Sequence, residues 1–376
     1  MSAPPSPVAR AFSTDISRGA PRRVSFVAAL TAVSVVAPLA ADDLKISDYT
    51  FDTPVFGIAT GLDGSLLVAD AGTGIVKLKR GGGELFAPLP GVTDVAPTPF
   101  GMFAITGGTD DRPPTLTSSR LFWVSHTGDA REIADLGEFE ATVNPDAAGV
   151  NPNPFDVAAL PWPSGSVLVA DAGGNTLLIV DKKGNIDWSA TRPSELVSTA
   201  NVKKLLNGAP GQTMPPPCAL PAMIPAQAVA TSIAIGPDGA YYMGELKGFL
   251  APVGESRIWR IKPTARHARC GTSPDCTVVA DGFTSIIDLT FGWDGTLHVV
   301  EFDEASWFAV EVTHTPTTGT VSACKWRFST RSFKCEPQAK GLLMPIAATV
   351  DFRGRVNVVT KALIPGEAEV IRLKRW

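Results

Sequence analysis

One residue pattern recurs six times between residues 57 and 360, and it constrains the fold more than any other feature of the chain. Each copy has an alternating apolar strand, a turn ending in Gly, a second apolar strand and then a polar residue. The copies lie at 57–70, 94–107, 156–171, 232–245, 288–301 and 347–360. Three copies turn on Asp-Gly, as in GIATGLDGSLLVAD, which favours a tight hairpin because both residues tolerate positive φ.

Further apolar segments follow the copies and predict third and fourth strands, such as RIWRIK at 257–262 and CTVVADGF at 276–283. Short strands at this spacing, with turn residues between them, are typical of propeller blades. We therefore predict an all-β, six-bladed β-propeller of the NHL and gluconolactonase-like kind. The last copy ends at Trp376 directly after its third strand, so we predict that Leu44–Phe51 supplies its outer strand. The long interruption at 190–228 predicts a lid over one face, with a short helix.

Residues 1–41 are predicted to be a signal peptide or an N-terminal anchor, and the propeller is predicted to occupy 42–376. Arg22 and Arg23 precede an apolar run from Val24 to Ala41, and acidic residues follow. A basic flank, an apolar core and small residues before the boundary indicate a secretory signal. The run is also long enough to span a bilayer if it is not cleaved. An organellar transit peptide fits less well. We expect a periplasmic or extracellular protein.

The five cysteines form two close pairs and one remainder. Cys270 with Cys276, and Cys324 with Cys335, are predicted to be disulfides, which export would permit. Cys218 is left over in a Pro-rich segment. No pair has the spacing of a zinc site.

Several segments resemble known propeller families. VADAGGNTLLIV at 169–180 resembles the NHL repeat. The chain also resembles the ScyD/ScyE-type family, named for proteins encoded with scytonemin biosynthesis, in NPNPFDV at 151–157, PAQAVATSIAIGPDGAYYMGELKGF at 225–249 and PVGESRIWRI at 252–261. The resemblance covers most of 55–301 and implies a secreted or periplasmic propeller, without implying a catalytic set. The cysteine-bearing segments 263–276 and 314–336 depart from the family pattern.

Acidic residues occupy fixed positions in the repeat and are the candidate functional residues. Carboxylates end the second strands and start the first strands, and in a propeller these positions meet on one face. Hard cations such as Ca²⁺ prefer oxygen ligands of this kind, so we expect a divalent cation, Ca²⁺ before others. The predicted metal ligands are Asn153, Asp156, Glu245, Asp288 and Glu301. The predicted ligand-binding residues are Asp70, Asp94, Asp171, Tyr242 and Phe249. The alternative for the Asp residues is a turn-stabilising role, in which the side chain accepts local backbone N–H bonds. The alternative for the aromatic residues is ordinary packing between blades.

The net charge and the motifs of the sequence argue against two classes of function. The net charge is −4 and no Lys/Arg run is present, which argues against nucleic acid as a partner. Neither a Ser-His-Asp order nor a G-x-S-x-G motif occurs, which argues against a serine hydrolase. Our leading hypothesis is an exported, monomeric propeller that binds a small-molecule ligand or a protein partner at a carboxylate-rich channel mouth. The alternatives are a metal-dependent lactonase or esterase, a secondary-metabolite biosynthetic enzyme, and an interaction scaffold. Contact with a membrane is expected only if residues 1–41 are retained.

Overall fold

The computed structural model of the chain describes residues 44–79, 82–108, 118–161, 163–208 and 220–374. These residues form six blades of antiparallel strands, in which the strands follow sequence order from the first strand outwards except for the outer strand of blade 6. Blade 1 comprises β2 (Val55–Thr60), β3 (Leu66–Asp70), β4 (Gly74–Lys79) and β5 (Gly82–Pro88). Blade 2 comprises β6 (Val92–Thr98), β7 (Gly101–Thr106), β8 (Arg120–Val124) and β9 (Ala130–Asp135). Blade 3 comprises β10 (Pro154–Ala159), β11 (Val167–Asp171), β12 (Thr176–Val180) and β13 (Ile186–Thr191).

The second half of the chain repeats this arrangement. Blade 4 comprises β16 (Ala230–Ile235), β17 (Tyr241–Glu245), β18 (Ser256–Ile261) and β20 (Cys276–Phe283). Blade 5 comprises β21 (Ile286–Phe291), β22 (Leu297–Glu301), β23 (Gly319–Arg327) and β24 (Ser332–Leu342). Blade 6 comprises β25 (Ala347–Val350), β26 (Val356–Thr360) and β27 (Glu369–Arg372). The chain is a six-bladed β-propeller, as predicted.

The N-terminal strand β1 (Leu44–Lys45) completes blade 6. It pairs antiparallel with β27, with Leu44 opposite Arg372, and the Ile46 N–H donates to the Val370 carbonyl at 2.9 Å. This confirms the predicted ring closure. The pairing joins the two ends of the described chain and covers the edge that β27 would otherwise present.

The turns and the apolar strands of each blade follow from local chemistry. Gly64 has φ +79° and Gly295 has φ +80°, which side chains with a Cβ rarely adopt. The Asp before each Gly accepts the N–H of the residue that follows the Gly, as Asp294 does from Thr296 at 3.0 Å. Second strands such as β3 are buried along their whole length because another blade packs on each face.

The propeller has two faces. The start face is where the first strands begin, and the turn face carries the hairpin turns between first and second strands. The interruption after blade 3 contains a hairpin of β14 (Glu195–Ser198) and β15 (Met223–Ala226) and a helix at Ala200–Gly208. Asn201 donates to the carbonyls of Ala251 and Ala305 at 2.6 and 3.1 Å, which fixes this helix on the start face. Two other helices lie at Leu136–Val143 and Trp307–Glu311.

Both predicted disulfides are present. Cys270 is bonded to Cys276 beside β19 (Ala268–Arg269), a short strand that pairs in parallel with β13. Cys324 is bonded to Cys335 across β23 and β24, so segment 314–336 is largely blade 5 and not an addition to it. Cys218 lies outside the described residues. No helix among the described residues is long and apolar enough to cross a membrane.

Candidate site in the central channel

The six first strands line a central cavity of about 430 Å³ that is closed at the start face. Phe56 and Phe155, from blades 1 and 3, meet edge to face with ring centroids 5.9 Å apart. Together with Ile287 and Ile346 they are at most 4% exposed. Towards the turn face the lining residues are half-exposed, as Ile235 is. The channel is therefore a pocket with an apolar end and one open mouth at the turn face.

Three aspartates occupy the same position in their first strands and face this cavity: Asp94, Asp156 and Asp288. The pairing of each of these strands with its second strand shifts register just before the Asp. Such bulges redirect side chains, and here they precede the carboxylates. Each Asp accepts a backbone N–H from the first strand of the next blade, namely that of Val157 at 3.0 Å, Ile233 at 2.7 Å and Ala348 at 2.6 Å, respectively.

Two of these aspartates are paired. Interaction with the Asp156 carboxyl lowers the pKa of Asp94, whereas interaction with Asp94 raises the pKa of Asp156, so Asp156 binds a proton more strongly than Asp94. In blade 1 the equivalent position of the first strand is Gly57, where a Cβ would lie 2.3 Å from Asp94 Oδ1. Glycine at this position therefore makes room for the pair.

The channel carboxyls hold their protons more strongly than usual. Burial raises the pKa of Asp94 to about 7 and, with the nearby charge of Asp156, that of Asp288 to about 8. Burial and the charge of Asp94 raise the pKa of Asp156 well above its usual range. The lining residues include no Lys, Arg or His. These carboxyl groups can donate and accept protons near neutral pH, and a positively charged ligand would stabilise their ionised form.

The carboxylates at the ends of the second strands lie apart from this cavity, one in each of four blades. Asp70 accepts the N–H groups of Asp52 and Gly72 at 2.8 and 3.0 Å. Asp171 accepts three N–H groups through Oδ1, from Asn153, Gly173 and Gly174. This geometry is that of turn-stabilising side chains.

Glu301 and Glu245 also have partners outside the channel. Glu301 accepts the Thr284 N–H at 2.7 Å, and burial raises its pKa to about 7. Glu245 is fully buried, with Lys247 Nζ 3.0 Å from Oε1 and Arg192 Nε 3.3 Å from Oε2. Both oxygens of Glu245 thus already face cations, which would repel a metal ion.

The remaining predicted residues lie in packing contacts outside the channel, where Asn153 and Tyr242 are buried and Phe249 is partly buried. Asn153 Oδ1 accepts the Gly108 N–H at 2.9 Å. Tyr242 packs edge-on against Phe291, with ring centroids 5.0 Å apart, and its hydroxyl donates to Asp238 at 3.1 Å. Phe249 packs against Phe308 near the helix on the start face.

Sequence reasoning missed a buried ion cluster on the start face, formed by Arg192, Glu195, Glu245, Lys247 and Arg257. Lys247 is fully buried and pairs with both Glu195 and Glu245, and the Arg192 guanidinium lies 4.5 Å from the Trp259 ring centroid. A Glu and a Lys separated by one residue in GELKG were the only local signal, because the other members come from the insertion after blade 3 and from β18.

A second missed residue is Glu140, in the helix Leu136–Val143. It is 1% exposed, and its Oε1 has no hydrogen-bond partner. Its carboxylate lies beside Gly174, where a Cβ would be 3.0 Å from Oε2. Asp171 Oδ2, on the same turn, also lacks a hydrogen-bond partner. Burial and the charges of Asp171 and Asp146 raise the pKa of Glu140 to about 8. Across the described ranges, no group of three or more His, Cys, Asp or Glu residues is arranged to hold a metal ion.

Comparison with solved structures supports the fold. An aldose sugar dehydrogenase from Streptomyces coelicolor, solved in a PQQ-bound form, superposes with a TM-score of 0.55 at 13% identity, covering 88% of this chain and 96% of that one. A gluconolactonase from Xanthomonas campestris gives a TM-score of 0.51 at 11% identity, covering 91% and 93%. A calcium structure of a Trichoderma reesei family AA12 carbohydrate-active enzyme gives 0.51 at 11% identity, covering 89% and 95%.

No protein-family model and no curated protein matches the sequence. At these identities the likeness to solved structures shows the propeller fold alone. Sugar dehydrogenases and a gluconolactonase are thus among the proteins that share this architecture, and the function has to be argued from the site.

Proposed function

We propose that the protein binds a small organic molecule in the central channel, with the ligand's polar end against Asp156 and Asp288. The observation that carries this proposal is a blind cavity of about 430 Å³ with carboxyl groups inside it. Small-molecule sites are concave, mostly apolar cavities of this size, with a few placed polar groups.

The chemistry of the lining favours an amphipathic organic cation. Apart from the carboxyls, the walls are mainly Ala, Ile, Val, Phe and Pro residues with the hydroxyl residues Thr290 and Thr349, and the carboxyls have no basic partner among the described lining residues. A bound ammonium group would stabilise the ionised carboxylates and displace protons from them. An apolar body of slim shape would fill the rest of the channel.

Calorimetric titration tests this proposal. The probe is tyramine, and its matched neutral control is tyrosol, which has a hydroxyl in place of the ammonium. We expect tyramine to bind at pH 7 with proton release, measured as a heat that depends on the ionisation enthalpy of the buffer. Tyrosol should bind more weakly.

Variants locate the binding. Asp288→Asn should weaken tyramine binding by about tenfold or more, since a hydrogen bond to a charged group contributes roughly 1.5–3 kcal/mol. Asp281→Asn, on the exposed side of β20, should leave it unchanged. Equal affinity for tyramine and tyrosol, or an unaffected Asp288→Asn protein, would remove the cation-binding proposal.

A divalent cation is a second candidate ligand. One observation favours a position for it away from the predicted metal ligands. The unpartnered buried oxygens of Glu140 and Asp171 face the turn at Gly174, with no Lys or Arg shifting the pKa of Glu140. Carboxylate oxygens of this kind suit Ca²⁺. Ca²⁺ should raise the melting temperature of the native protein and not that of Glu140→Gln. A metal-dependent lactonase or esterase activity would require such a cation, so lactone turnover is assayed in the same samples.

We also propose that the protein belongs to the ScyD/ScyE type and acts as a monomer in the periplasm or outside the cell. The two disulfides support an oxidising compartment, because reducing cytosol keeps thiols free. Mass spectrometry of the protein from its native host tests the export step. A mature chain that begins near Asp42 supports a cleaved signal, and an intact chain in the cytoplasmic fraction counts against export.

A further inference from the structure

Four large apolar side chains stand exposed in the turns between first and second strands, and together they are called the crown: Leu62, Phe100, Trp293 and Phe352. Each belongs to the hairpin turn between the first and second strands of a different blade, and they are 51–77% exposed. The Trp293 and Phe352 rings, from neighbouring blades, lie with centroids 6.0 Å apart. Because first strands line the channel, these turns surround its open mouth. Single exposed apolar residues are ordinary, but an arc of them in the corresponding turns of the adjoining blades 5, 6, 1 and 2 marks an interaction surface.

Basic residues lie on the same face as the crown, in blades 3, 5 and 6. The turns between third and fourth strands also point to the turn face, farther from the channel axis. They carry Lys182 and Lys183 in blade 3 and Arg327 and Arg331 in blade 5, and Arg353 stands next to Phe352. All five are exposed, and within the described parts of the chain none forms a salt bridge. In blade 3 the two kinds of turn are neighbours, since a Cβ on Gly165 would lie 3.5 Å from Lys182 Cβ.

The chain itself enters the propeller from this face. Strand β1 runs antiparallel to β27, which ends towards the turn face, so residue 44 lies at that side. The apolar run from Val24 to Ala41 ends just before it in sequence. The described chain therefore begins at the rim of the turn face.

The geometry points to docking of the turn face on an anionic lipid bilayer. Exposed Trp, Phe and Leu side chains suit the boundary between headgroups and acyl chains, and unpaired Lys and Arg suit lipid phosphates. A protein partner with an apolar patch would use the crown but would not require the surrounding cations. In the docked orientation the channel mouth opens towards the lipid. This inference depends on the crown and its cations, and it stands whether or not the channel binds tyramine.

Vesicle flotation of the full chain tests the inference. We expect stronger binding to vesicles of phosphatidylcholine mixed with phosphatidylglycerol than to phosphatidylcholine alone, and weaker binding as salt rises. Lys182→Gln with Lys183→Gln should weaken binding to the anionic vesicles about 30-fold. Trp293→Ser with Phe352→Ser should weaken it by roughly tenfold or more. Leu196→Ser is the matched control, because Leu196 is 64% exposed on the opposite face.

A second readout separates the crown from the N-terminal segment, which can bind lipid without it. Brominated lipids should quench the Trp293 fluorescence, taken as the difference between the native protein and Trp293→Phe. Unchanged flotation in both double variants, or absence of Trp293 quenching on bound protein, would overturn the inference. Crown variants that alter the sedimentation coefficient while vesicle binding stays unchanged would assign the crown to contacts between copies of the chain instead.

Discussion

Replacing Glu140 by Gln should stabilise the protein, and the gain should grow with pH. Burial, with the charges of Asp171 and Asp146, raises the pKa of Glu140 from 4.5 to about 8. A group with a raised folded pKa contributes its stability below the unfolded pKa and loses it as pH rises to the folded value. At pH 7 the unfolded carboxyl has ionised and the folded one has not. Each pH unit above 4.5 lowers the free energy of unfolding by about 1.4 kcal/mol. Glu140 therefore destabilises the folded protein by about 3 kcal/mol at pH 7 and by about 1 kcal/mol at pH 5.

The assay is thermal unfolding at pH 5, 6, 7 and 8 in the presence of a chelator. Glutamine keeps the size of the side chain and cannot ionise, so the variant should melt several degrees higher at pH 7 and nearly level with the native protein at pH 5. Glu138→Gln is the control, since Glu138 is exposed in the same helix. A difference that does not change with pH would refute the assignment of a raised pKa. If Ca²⁺ reverses the order of the two proteins at pH 7, the cation candidate at Glu140 is supported.

Two further substitutions probe other contacts of the start face and channel. Lys247→Met should lower the free energy of unfolding by about 3 kcal/mol, because it removes a cation from the fully buried Glu245. Chemical denaturation measures this change. An unchanged free energy of unfolding would mean that the remaining arginines are enough to stabilise the Glu245 carboxylate. Gly57→Ala should destabilise the protein and shift the titration of Asp94, since the new Cβ would lie 2.3 Å from Asp94 Oδ1. Its control is Gly82→Ala, where nothing lies within 4 Å, and equal melting of the two variants would contradict the close packing at Gly57.

The apolar end of the channel determines the face from which a ligand can reach the acidic residues. The sequence pattern grouped the carboxylates of first and second strands around one mouth, on the start face. Phe56 and Phe155 close the channel there, and the lid helix at Ala200–Gly208 covers the same face. The aspartates of the first strands are thus reached from the turn face, and this separates them from Glu245 and its cations.

The blades and their closure were readable from the sequence because they depend on short-range rules. Alternating apolar residues and an Asp-Gly turn specify a hairpin wherever they occur, as at 57–70. The prediction that the N-terminal segment supplies the outer strand of blade 6 is confirmed by the pairing of β1 with β27. The two disulfides followed equally from the short separation of their cysteines.

The site depended on tertiary structure for a different physical reason. Asp94 and Asp156 are far apart in the sequence, and each affects the pKa of the other only because blades 2 and 3 pack side by side. Nothing local to Glu245 tells that Arg192 will reach it from the insertion. Repeat periodicity determines where each side chain stands in its own blade, whereas its partners, burial and pKa depend on the neighbouring blade, whose sequence is independent of it.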